Sequence, residues 1–206
     1  MKTFLLILLT SVLLLATYPS FTNSELRAIN KNSIIAKNRI VDYQNTLLTL
    51  KTLDKEIQLN RMNFYLNRLL PQYDDVINNK LDNWATPKEF LTVGYGDCED
   101  YVIIKYYSLI KLGFDEKKLY LTLVKEKFRG GNHMVLTYFK TQGKSPLVLD
   151  NLSFKILDLN TREDLEAEIF INSSGVYKLQ EDSRLLKVAH KYKEFEELKV
   201  KVKNNR

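Results

Sequence analysis

The chain has little of several residue types: one cysteine, one tryptophan, two histidines, four prolines and seven glycines in 206 residues. So few glycines and prolines, with no low-complexity tract, exclude a disordered linker, and the lack of a fixed-period repeat excludes a repeat array. A single cysteine excludes an intramolecular disulfide. What is present is 45% hydrophobic and 11% aromatic residues, including twelve tyrosines and ten phenylalanines. That is enough large apolar surface for one globular domain with a real core.

The N-terminus reads as an export signal. Met1-Lys2 is a short basic start, and Phe4 to Ala16 is apolar except for Thr10 and Ser11. The run falls short of the roughly 20 apolar residues that span a bilayer and suits a signal-peptide core. Ser20-Phe21-Thr22 offers small residues around a cleavage point, blurred by Tyr18 and Pro19; an uncleaved membrane anchor is the alternative. Both send the remaining chain to the periplasm. In an oxidising compartment a lone thiol is either buried and inert or kept for its reactivity.

Net charge is +6, with much of the excess between Lys187 and Arg206. A basic tail of this kind is either a solvated helix face or a patch for anionic lipid or nucleic acid. Export argues against nucleic acid.

Hydrophobic spacing divides the chain into a signal (1–22), a polar, loosely packing leader (23–41), a main domain (42–180) and a basic C-terminal helix (181–206). Helical spacing covers Asp42–Leu53 and Lys55–Leu70, where Pro71 stops it. Thr86-Pro87-Lys88-Glu89 is a capping box with proline at the first helical position, so a short helix is expected from Pro87 to about Thr92. Gly94-Tyr95-Gly96 is a turn, Tyr101–Leu112 a buried helix, and Gly113 its end. Leu119–Lys125, Met134–Phe139, Leu147–Leu149 and Val176–Leu179 read as strands. Helices first and an antiparallel sheet second define an α+β domain.

Cys98 falls after the glycine turn, at the start of a helix. Unpaired backbone N–H groups and the positive dipole end there favour a thiolate, and the same groups suit an oxyanion. A thiol nucleophile needs a base. His190 belongs to the charged C-terminal stretch, whereas His133 begins a strand after the Arg129-Gly130-Gly131 turn. Asp150 ends the next strand, where a hairpin sets it beside His133 to hold the imidazole. The candidate catalytic set is therefore Cys98, His133 and Asp150.

Several separated segments carry a resemblance. They are Trp84-Ala85-Thr86-Pro87-Lys88-Glu89-Phe90-Leu91, Gly96-Asp97-Cys98-Glu99-Asp100-Tyr101 with Ile104-Lys105-Tyr106-Tyr107, Asn132-His133-Met134-Val135-Leu136, and Pro146-Leu147-Val148-Leu149-Asp150-Asn151-Leu152. Together, over about residues 42 to 180, the chain resembles the bacterial transglutaminase-like cysteine proteinases, which include the LapG-type periplasmic proteases. The resemblance implies a papain-like, transglutaminase-like fold and the same Cys98, His133, Asp150 triad. It implies cleavage after paired alanines in the N-terminal region of a large surface adhesin, which releases the adhesin and disperses biofilm. It also implies inhibition by an inner-membrane cyclic di-GMP receptor of LapD type, and a calcium requirement met by Asp97 and Glu99.

Calcium has a physical logic here. Two carboxylates flanking a thiol oppose its ionisation, and a divalent cation reverses that effect. Oxygen ligands suit calcium, although no EF-hand loop is present. The simpler reading makes Asp97 a helix cap and Glu99 and Asp100 first-turn acids, with Asp100 open to either role. The chain departs from the family pattern at Gly175-Val176-Tyr177, where Tyr177 is expected to alter a wall of the cleft, and in the basic helix from Ser183. Other readings of the same residues are transglutaminase or amidase acyl transfer, and a catalytically silent periplasmic binding module.

Overall fold

The computed structural model describes residues 18–71, 83–128 and 130–205. Most of the expected signal, and Arg129 of the expected turn, lie outside these residues. Three helices come first: α1 (Asn23–Asn32), α2 (Ile34–Leu50) and α3 (Lys55–Leu66). A two-residue strand β1 (Leu70–Pro71), helix α4 (Pro87–Val93), strand β2 (Tyr95–Gly96) and helix α5 (Cys98–Lys111) follow. The sheet strands are β3 (Leu119–Glu126), β4 (Asn132–Tyr138), β5 (Leu147–Leu149), β6 (Leu157–Asp158), β7 (Leu165–Asn172), β8 (Gly175–Leu179) and β9 (Leu185–Ala189), and α6 (Lys193–Asn204) ends the chain.

These seven strands form one antiparallel sheet in the order β6-β5-β4-β3-β7-β8-β9. Side chains alternate across a strand, so β3 sends Leu119 and Leu121 into the main core and Tyr120 and Val124 into a second cluster on the opposite face. That second cluster is an aromatic stack in which Tyr120 meets Phe139, Phe170 and Tyr177 edge to face. The α+β architecture expected from the order of hydrophobic patterns is the one observed.

Helix α5 is the hub. Every residue from Asp100 to Ile110 is buried, because the helix packs across β3 and β4 on one side and meets α3 and α4 on the other. Its Ser108 hydroxyl shares a 2.7 Å hydrogen bond with Tyr43 of α2, which satisfies two polar atoms deep in the core.

Three expectations from the sequence are corrected. The leader 23–41 is not loose: Thr22 forms a capping box with Glu25, and Ala36 and Ile40 are buried on α2. Tyr18 is buried as well, edge to face with Tyr107. The helix expected over Lys55–Leu70 ends at Leu66, because Leu70 and Pro71 pair in parallel with Tyr95 and Gly96 and a residue before proline avoids the helical region. The C-terminal stretch 181–206 is not one helix. Leu185–Ala189 is an edge strand and only Lys193–Asn204 is helical.

Strand β7, an inner strand of the sheet between β3 and β8, is not legible in the sequence. Its Leu-Glu-Ala-Glu-Ile run is made largely of the helix formers Leu, Glu and Ala, with few of the β-branched and aromatic residues that mark a strand, and a β-bulge between Leu123 and Val124 leaves Glu168 as the extra residue.

Nor is α6 merely a solvated basic face. It is amphipathic: Phe195, Leu198 and Val202 enter the main core, while its lysines face outward or reach back to the domain. Phe195 packs edge to face on Tyr106 of α5 at 5.9 Å. Replacing Phe195 by alanine should therefore cost about 3–5 kcal/mol of unfolding free energy in urea titration. A loss under about 1 kcal/mol would mean that α6 is dispensable to the core.

Candidate active site

The approach to Cys98 is built by close backbone packing. Gly94 ends α4 in the left-handed region at φ 90°, and the Arg39 guanidinium covers it while donating to Leu91 O at 2.8 Å. Two residues on, a Cβ at Gly96 would lie 2.5 Å from Asp100 Oδ2, so only glycine fits. Asp100 itself turns inward and accepts from the Ala85 N–H at 2.8 Å. Asp100 thereby ties the Trp84–Ala85 segment to the first turn of α5.

That tie places Trp84 on the wall of the cleft. A cleft of about 370 Å³ is lined by Trp84, Cys98, Glu99, His133, Glu168 and Tyr192, among others. Tyr192, just before α6, stacks on Trp84 with centroids 6.0 Å apart. Glu168 reaches this cleft because the bulge in β7 re-aims it. Tyr177 does not line it, contrary to expectation, because its ring packs against Tyr120 in the second cluster. The C-terminal contribution to the cleft is Tyr192. A larger hollow of about 430 Å³, lined by Lys55, Lys140 and Lys144, contains none of these residues.

Cys98 opens α5 and is half-buried. Its thiol donates to Glu99 Oε2 at 3.0 Å. Burial, the Glu99 carboxylate and then Asp97 push the thiol well above its ordinary range, against a hydrogen bond with the Met134 backbone. Burial first, and then its acidic neighbours, therefore outweigh the helix dipole at this position. Asp97 occupies the cap position without a side-chain cap bond, so capping does not account for a carboxylate there.

His133, on β4 next to Met134, is buried in the cleft floor, and its Nε2 lies 2.9 Å from Asp150 Oδ1. Burial would raise Asp150, but His133, the Leu152 N–H and Arg162 outweigh it and hold the carboxyl well below the usual carboxylate range. An ionised carboxylate only accepts, so Nε2 carries a proton, and the tautomer this selects in a neutral imidazole has Nδ1 as its acceptor. The sequence-predicted set of Cys98, His133 and Asp150 is thus brought to one place, with His133 bonded to Asp150 and Cys98 on the same cleft. His190 is exposed, in a bend after β9 and not in a helix.

Two further residues hold Asp150 that sequence reasoning missed. Arg162 Nη2 donates to Asp150 Oδ2 at 2.8 Å and also to Asp164 Oδ2 at 2.7 Å. Asn67 Nδ2 donates to the Asp150 carbonyl at 2.7 Å, which fixes the end of α3 to this loop. Neither has a local sequence signal, since each acts across the fold. Arg162→Met leaves Asp150 Oδ2 buried without its donor. It should lower the unfolding free energy by about 3 kcal/mol in urea titration and slow peptide cleavage at least tenfold.

Comparison with known proteins agrees with this geometry. The family model described as bacterial transglutaminase-like cysteine proteinase, BTLCP, matches residues 36–164. EGTA-treated LapG from Legionella pneumophila is 28% identical, covering 88% of this chain and 95% of its own, with a TM-score of 0.75. Its calcium-bound form is 28% identical over 85% of this chain and 98% of its own, with a TM-score of 0.71. A third structure of Legionella pneumophila LapG gives 27% identity over 90% and 98%, with a TM-score of 0.75. No curated protein sequence matches the chain. With the fold, the cleft and the cysteine in agreement, the chain belongs to the bacterial transglutaminase-like cysteine proteinases, and to their LapG type.

Proposed function

We propose that the protein is a periplasmic, calcium-dependent cysteine endopeptidase that cleaves the N-terminal region of a large surface adhesin and so controls biofilm attachment. The observation that carries the catalytic part is the 2.9 Å bond from His133 Nε2 to Asp150 Oδ1, on the cleft that also exposes Cys98. Asp150 keeps Nε2 protonated, which leaves Nδ1 to take the Cys98 proton. The thiolate attacks the peptide carbonyl while backbone N–H groups at the start of α5 stabilise the oxyanion. His133 then protonates the leaving amine, and water releases the acyl group.

The donor chemistry around Cys98 fits a calcium ion. Asp97 and Glu99 supply hard carboxylate oxygens beside the thiol, and capping does not explain Asp97. Among the described residues no group of three or more acidic, cysteine or histidine side chains converges, so other oxygen donors would complete the shell. Asp97 and Glu99 would hold the ion, and when bound it would neutralise the carboxylates that now raise the thiol. The solved calcium-bound and EGTA-treated forms of the Legionella protein support this reading.

Periplasmic location rests on the N-terminal signal, which lies largely outside the described residues. No helix among the described residues is long and apolar enough to cross a membrane. The adhesin substrate and an inhibiting inner-membrane receptor of LapD type are part of this proposal, suggested by the likeness to the LapG-type proteases. Calcium bears on how such an enzyme would be kept silent, because in this structure the thiol rests on Glu99.

The test is cleavage of a recombinant adhesin N-terminal fragment carrying paired alanines. Cys98→Ala should abolish cleavage, by at least a thousandfold, while unfolding at the same temperature; persistent cleavage would refute the assignment. Chelation should remove activity and added calcium restore it, and full activity in chelator would exclude the metal. Transfer of a labelled amine to a glutamine donor, in place of hydrolysis, would indicate a transglutaminase.

A further inference from the structure

The cleft around Cys98 carries charge of one sign. Its lining includes the carboxylates of Glu99 and Glu168, and among the described residues that line it there is no lysine or arginine. Glu99 Oε2 accepts from the thiol. Glu168 pairs instead with Lys125, whose Nζ lies 2.6 Å from Oε1. A carboxylate accepts at two oxygens, and this pair occupies Oε1. The Lys125 and Glu168 side chains are 57% and 36% exposed, so the pair lies in water, where it stabilises little and can exchange for another cation.

The backbone fixes where Glu168 stands. Leu123 pairs with Ile169 and Val124 with Ala167, so Glu168 has no partner position on β3 and the strand bends there. On its other side Val124 pairs with His133, which puts the bulge one strand away from the proposed base. Trp84 and Tyr192, stacked with ring centroids 6.0 Å apart, line the same cleft. An aromatic wall together with a carboxylate suits a long basic side chain, whose methylene stem lies on a ring while its charge meets the acid. An acidic side chain in the same place would meet like charge.

We propose that Glu168 is a specificity-determining residue of the cleft, which selects a substrate carrying lysine or arginine close to the scissile bond and disfavours an acidic one. This rests on the endopeptidase reading given above and extends it to the charge of the substrate. Glu168 takes no part in making or breaking bonds, so its effect lies in the ratio of kcat/KM between substrates. Lys125 competes with the substrate's basic side chain for the same carboxylate. Substitutions at Glu168 and Lys125 should therefore act in opposite directions, which general damage to the cleft would not do.

The experiment measures kcat/KM for synthetic peptides with paired alanines, in which lysine or glutamate is placed in turn at each position flanking the cleavage site. At low ionic strength the parent should favour the lysine peptide about tenfold or more at one of these positions, and added salt should shrink the ratio. Glu168→Gln should reduce the ratio to about twofold or less, Glu168→Lys should invert it, and Lys125→Met should raise it. A parent ratio under about twofold at every position would overturn the proposal, as would a ratio that Glu168→Gln leaves intact. Should Glu168→Gln not fold, Lys125→Met decides, and an unchanged or lower ratio would overturn the proposal. The single thiol supplies a readout that needs no substrate: the rate at which Cys98 reacts with a cationic and with an anionic alkanethiosulfonate. The cationic-to-anionic ratio should fall in Glu168→Gln and rise in Lys125→Met. If the parent cleaves no peptide, the endopeptidase reading fails and these rates decide alone: the same order supports charge selection by the cleft, and rates indifferent to both substitutions overturn it.

Discussion

The structure turns on one buried negative charge. Asp150 is fully enclosed, and a carboxylate in that position survives only if donors surround it. They come from distant parts of the chain: His133 from β4, Arg162 from the segment before β7, and the Leu152 N–H from its own loop. Asn67, at the end of α3, holds the backbone of the same residue. Helices, sheet and loops are thereby joined at the point where the imidazole must be oriented. The same bonds that stabilise the fold above the carboxylate range select the histidine tautomer.

A second constraint opposes the first. Cys98 sits at a helix start, which favours a thiolate, yet burial disfavours its charge and Glu99 accepts a hydrogen bond from the thiol. The nucleophile is therefore quiet in this arrangement while its base is already positioned. In the mechanism proposed above, neutralising Asp97 and Glu99 would favour the thiolate.

Much of this was legible along the chain where the signal is local. Thr86 and Glu89 form the capping box that their spacing announces, Pro87 opens α4, and Gly94 ends it. The apolar run from Tyr101 is a buried helix, and the strands at Leu119, Met134 and Leu147 are where alternation and turn residues put them. Legibility failed where partners outside the segment decide. Strand β7 opens with the helix formers Leu, Glu and Ala and carries a bulge, so its own residues do not announce an inner strand. Leu185–Ala189 is a strand because β8 lies beside it, and residues 23–41 are ordered because α2 has a core to pack against.

By itself the sequence determined that this protein has one thiol, that it falls at the start of an apolar helix, and that two acids flank it. Those are properties of neighbours in the chain, read through helix geometry and charge. Only the tertiary structure decided what the thiol faces. It put Glu99 on the sulfur, Asp100 under Ala85, Tyr192 against Trp84, and Arg162 on Asp150, with Lys105 buried in the helix behind. The physical reason is that capping and periodicity act within a few residues, whereas a buried charge is satisfied by whichever donors the packed core brings to it.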